Sequence, residues 1–130
     1  MILHSLNKLG INVIARAKGG RFKINEDNTA TIAVDSSSEE YRKIITHESI
    51  HALQWLASGK VRCEDGVDKI ADRFPASETS VLVKTMYPAK RHRCEQQAFE
   101  NQHRYEDVEL ALAKKAIKVT LKGTKIVDIK

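Results

Sequence analysis

The sequence is poor in the residues that build specialised scaffolds. Its 130 residues include only two cysteines, Cys63 and Cys94. Two thiols can close one bridge but cannot make a disulfide framework, and two free thiols in a reducing compartment are the simpler expectation. There are only two prolines, and no repeat, low-complexity segment or linker interrupts the chain. One domain over residues 1–130 is therefore expected. Aromatic residues make up 5% of a chain that is 42% hydrophobic, so the core must be mainly aliphatic. No apolar run approaches the ~18 residues that span a bilayer. The first residues lack the uninterrupted apolar stretch of a secretory signal. A cytoplasmic protein with no membrane association is expected.

Acidic residues are also in deficit. Seventeen Asp and Glu face 22 Lys and Arg, for a net charge of +5 and a pI near 9.3. Such a surface favours anionic partners, nucleic acid among them, although solubility alone accounts for it. The positive residues are spread along the chain, and only Lys90-Arg91-His92-Arg93 forms a tight cluster.

What is present points to an α+β fold. Ile2, Leu3, Leu6 and Leu9 recur at helical spacing before the stop signal Gly10. Three β-prone runs follow, over residues 12–17, 21–24 and 29–35. Lys18-Gly19-Gly20 and Glu26-Asp27-Asn28 separate them as turns. Such short connections predict an antiparallel meander. Ser36 with Glu39, or Ser37 with Glu40, gives a capping box for a helix that runs to about Ser58, where Gly59 ends it. Tyr41, Ile44, Ile45, Ala52, Trp55 and Leu56 share one arc of this helix. Ile50 and Leu53 lie on the far side, so the helix is expected to be central and covered on more than one face. Residues 60–75 look irregular, with a short helix at 67–73. Ser77 is expected to cap a helix through about Met86, which Pro88 breaks. A long helix is expected over 89–116, with Cys94, Ala98, Tyr105, Val108 and Leu112 on one stripe. A terminal hairpin is expected over 117–129, around Gly123-Thr124.

Chemistry concentrates in His47-Glu48-Ser49-Ile50-His51, an H-E-x-x-H motif. Positions i and i+4 sit one turn apart on one helix face. Two imidazoles there can grip one zinc ion at about 2.0–2.1 Å each. The intervening glutamate lies beside the metal, where it can take a proton from a metal-activated water. Trp55 shares a face with His51 and is expected to pack in the core.

The motif resembles the signature of the zincin metallopeptidases. That resemblance implies an active-site helix behind an antiparallel sheet, with residues 29–35 as the edge strand that aligns extended substrate. A catalytic zinc keeps three protein ligands and one open position. Glu95-Gln96-Gln97-Ala98 is similar to the third-ligand helix of the gluzincin branch, which implies Glu95 as the third ligand and Ala98 as a close-approach point. His92 is a rival ligand one turn earlier; Glu100, His103, Asp65, Asp68 and Asp72 are weaker ones. The family often supplies an oxyanion donor as Tyr or His. Tyr87, His92, His103 and Tyr105 are the candidates here, with Tyr87 in a loop and Tyr105 on the apolar stripe.

The leading expectation is a compact zinc endopeptidase acting on peptide or protein substrates, with Glu48 as general base and Tyr87 and His92 beside it. The alternatives are a nucleic-acid-associated protein that docks through its basic cluster, or a non-catalytic zinc-binding module. At this size a deep cleft between two lobes is not expected. A shallow site, or one completed by a partner or a second copy, is.

Overall fold

In the computed structural model, which describes residues 2–124, the chain begins with α1 (Ile2–Lys8). Ile2 and Leu6 bury its inner face, and Gly10 ends the turn with φ +79°, a conformation glycine adopts without steric cost. Three strands follow: β1 (Ile11–Ala15), β2 (Gly20–Ile24) and β3 (Ala30–Val34). They match the predicted runs to within one or two residues at each end.

Their arrangement is not a meander. The sheet order is β1-β3-β2, with β1 parallel to β3 and β2 antiparallel to it. The β2–β3 hairpin forms as its connection requires, but β1 and β2 do not pair; β3 lies between them. Side-chain patterning explains this. Ala30, Ile32 and Val34 are all essentially buried, whereas β1 buries only Ile11 fully and β2 buries no residue fully. The strand with a complete apolar face takes the centre. Residues 29–35 are therefore not an edge, and the open edges belong to β1 and β2.

The central helix, α2 (Tyr41–Ala57), is buried continuously from Ile45 to Trp55. Ile50 and Leu53, off the main apolar arc, are as buried as Ile45, so more than one layer covers the helix as expected. Gly59, at φ +81°, closes it. Its start differs from expectation. The Asp35 carboxylate captures the Ser37 amide and hydroxyl, and Ser38 accepts from the Glu40 amide. These local turns engage Ser37, one of the two serines expected to form a capping box. The helix opens at Glu40 without a side-chain cap.

Residues 63–70 form two 3-10 turns, Cys63–Gly66 and Asp68–Ile70, in place of a helix at 67–73. The first is pressed onto α2. A Cβ on Gly66 would lie 1.8 Å from the Gln54 carbonyl oxygen, so only glycine fits there. Helix α3 (Val81–Met86) is capped by Ser80, whose hydroxyl accepts from the Val83 amide. Ser77 does not cap it; its amide and hydroxyl bind the Glu100 carboxylate instead.

The expected long helix is broken. A 3-10 turn at Ala89–Arg91 leads into α4 (His92–Asn101), and α5 (Tyr105–Thr124) begins after a turn at residues 102–104. Arg104 pins that turn through hydrogen bonds to the Arg73 carbonyl and the Asn101 side chain. The break places Cys94 and Ala98 on one helix and Val108, Leu112 and Ala116 on the next, all of them buried; Ala98, Val108, Leu112 and Ala116 join the same core. Helix α5 also continues through residues 117–124, where a hairpin arm was expected. The remainder of that hairpin lies outside the described residues. Among the described residues, no helix is long and apolar enough to cross a membrane.

Candidate metal centre

The burial of α2 carries His47, Glu48 and His51 into the interior, where they retain 8%, 8% and 2% exposure. Helix α4 packs against α2. Ala98 is fully buried at the contact, and Gln54 of α2 donates to the Cys94 carbonyl and the Gln97 side chain of α4. This packing delivers Glu95 to the histidines. Its Oε1 lies 3.2 Å from Nε2 of both His47 and His51. One ligand atom from each of the three residues falls within 4.8 Å of the others. The three buried side chains are close enough together to bind one metal ion.

The hydrogen bonds behind the ligands suit this role. Nδ1 of His47 is 2.9 Å from Gln102 Oε1, and Nδ1 of His51 is 2.9 Å from Gln54 Oε1. In each ring Nδ1 faces an amide oxygen, which suits a proton on that nitrogen, and Nε2 faces Glu95. Outer partners of this kind fix ring orientation in metal sites. Two imidazole lone pairs and a carboxylate oxygen then converge. That arrangement is repulsive unless a proton or a cation lies between them.

Without a metal ion, protons shared between the histidines and Glu95 take that place. Burial opposes the Glu95 charge, but hydrogen bonds from His47 and His51 outweigh it and hold the carboxyl below its ordinary range. The other Glu95 oxygen binds the Arg91 guanidinium. Burial also opposes the charged form of His51, yet contacts with Cys63 and Glu95 and the charge of Glu48 leave its imidazole well above its ordinary value. In Glu48, burial dominates and raises the carboxyl against the opposing influence of both histidines.

Strand β2 covers this end of α2. A Cβ on Gly20 would meet Ile44 Cγ2 at 2.5 Å and Glu48 Oε2 at 3.0 Å. Phe22 places its ring 6.3 Å from that of His51, and Phe99 of α4 stacks edge-on to His47 at 4.5 Å.

The other candidates fall at varying distances from this point. Tyr87 stands at the rim, its ring 6.2 Å from Phe99 and 5.7 Å from the Arg91 guanidinium carbon. Burial, followed by the Glu95 charge, raises its phenol. His92 turns Nε2 to the Tyr87 carbonyl at 2.8 Å and is not among the clustered ligand atoms. Glu100 holds Ser77, Asp65 pairs with Arg62, and Asp68 pairs with Arg93. His103 and Asp72 are exposed. Tyr105 packs beneath Arg42, 4.2 Å from its ring centre. Trp55 is fully buried in the core, as expected. Cys94 is buried and Cys63 half-buried, and both are free thiols.

Sequence reasoning missed Gln54, Gln102, Arg91 and Gly20. Gln54 follows His51 by three residues, so helical spacing alone would have placed it beside that ring. Gln102 becomes visible only once α4 is known to end there. Gly20 resembled turn material and is in fact a strand residue beneath which Glu48 fits. No known protein family, characterised protein or solved structure matches the chain.

Proposed function

We propose that the chain is a zinc-dependent metallopeptidase, with His47, His51 and Glu95 as ligands and Glu48 as general base. One observation carries this reading: three metal-ligand atoms converge in a buried site, and the glutamate next in sequence to the first histidine is itself buried with a raised pKa. A structural zinc site needs no such neighbour. Two imidazoles and a carboxylate also suit zinc better than magnesium or calcium, which prefer oxygen donors throughout.

Bound zinc would act as a Lewis acid toward water and the scissile carbonyl. The protein's own groups do the rest. Glu48 takes a proton from the attacking water and returns it to the leaving amine, a task that favours a carboxyl raised toward neutrality. Tyr87, at the rim, is the oxyanion donor in this scheme. His92 holds the Tyr87 backbone and acts through it. The open edge of β2, not the internal β3, is where an extended peptide would add as a strand.

The test is cleavage of an unfolded protein substrate by the zinc-loaded chain, with Glu48→Gln as control. Hydrolysis that chelator abolishes and Glu48→Gln lacks is the expected result. A zinc-loaded parent that cleaves nothing would favour the non-catalytic module. The nucleic-acid reading gains little from Lys90–Arg93, because Arg91 and Arg93 are engaged by Glu95 and Asp68.

A further inference from the structure

The two histidines are held by amides of different kinds. Gln102, behind His47, is only half-buried at the end of α4. Gln54, behind His51, is fully buried, and so is Gln97 beyond it. Gln97 Nε2 lies 3.0 Å from the Val67 carbonyl oxygen and 2.6 Å from that of Phe74. A backbone carbonyl can only accept. Both N–H groups of Gln97 are therefore directed at these two oxygens, and its Oε1 must face Gln54. Gln54 Nε2 then donates to that Oε1 at 2.9 Å and to the Cys94 carbonyl at 3.0 Å. Its own Oε1 is left for His51 Nδ1. Reversing either amide would set oxygen against oxygen in a site without exposed surface, where an unmet polar group costs about 1–3 kcal/mol.

We infer that Gln97 and Gln54 are positioning residues that fix the proton of His51 on Nδ1, keeping Nε2 available for metal. The direction is set at the Val67 and Phe74 carbonyls, in the segment between α2 and α3, and is passed through two amides to the ligand. Among the described residues no such chain stands behind His47. His51 is thus the locked ligand and His47 the adjustable one. This inference rests on the metal reading above.

The experiment measures zinc affinity for the parent, Gln54→Met and Gln102→Met by competition with a chromogenic chelator, and records nitrogen-15 spectra of the zinc-loaded parent. Gln54→Met is expected to weaken zinc binding by about 10–100-fold, the usual effect of losing an outer partner. Gln102→Met is expected to weaken it less, because water can replace that amide. In the spectra His51 should carry its proton on Nδ1, and that proton should exchange more slowly than the one on His47. Gln97→Met, which touches no ligand, should speed exchange at His51. Parent-like zinc affinity in Gln54→Met, or zinc held through Nδ1 of His51, would overturn the inference. If Gln54→Met does not fold, the parent spectra decide. A parent that takes up no zinc would instead overturn the metal reading itself.

Discussion

Glu48 occupies a buried position that penalises its charge. Its carboxyl is raised by burial and lies against Gly20, where an added Cβ would sit 3.0 Å from Oε2. Glu48→Gln keeps the shape and removes the proposed base. The expected outcome is unchanged zinc content with hydrolysis lowered roughly a hundred- to ten-thousand-fold, read by metal analysis and peptide cleavage on the same preparation. Loss of zinc in this variant would mean that Glu48 is a ligand. Tyr87→Phe is expected to lower turnover with little change in metal content, since Tyr87 stands at the rim. At this scale much was legible in the sequence. The spacing of His47 and His51 requires only a helix, and the Glu95 segment was placed by its resemblance to a third-ligand helix. The supporting glutamines were not legible, because their roles depend on which carbonyls a distant loop presents.

Among the elements, the contact of β2 with α2 and the contact of the first 3-10 turn with α2 set the site's frame. Both depend on glycine. Gly20→Ala would drive a methyl group into Ile44 and Glu48. Overpacking of this kind costs about 1–3 kcal/mol, and the expected result is a lowered melting temperature with activity reduced more than zinc affinity. Gly66→Ala would clash with the Gln54 backbone, which cannot move aside as a side chain can, so it should destabilise the protein further than Gly20→Ala. Comparing the two thermal melts checks this order. Element types were mostly legible because periodicity and turn residues act locally. Sheet order and the break at residues 102–104 were not. Each is decided by competition between distant surfaces: the apolar face of β3 against its neighbours, and the need of α5 to pack on α1 and α2 while α4 keeps Glu95 at the histidines.

For the whole molecule, the buried histidine–glutamate cluster links stability to protons and, in the proposed reading, to metal. The folded-state pKa of Glu95 lies below its ordinary value of 4.5. Its ionised form therefore contributes stability that is present above that value and is lost as pH falls through the folded pKa. The metal-free protein is expected to lose stability progressively as pH drops below about 4.5, and Glu95→Gln should flatten that dependence in denaturant titrations. In the proposed reading zinc binds only the folded arrangement, and it should then raise the melting temperature in a concentration-dependent way. The most direct test of the central claim is metal content per chain for the parent, His47→Ala, His51→Ala, Glu95→Ala and Glu48→Gln, each purified with zinc supplied. One zinc per chain in the parent and in Glu48→Gln, with loss in the other three, is the result this account predicts. A parent without bound zinc, or a Glu95→Ala protein that holds zinc as tightly as the parent, would contradict it.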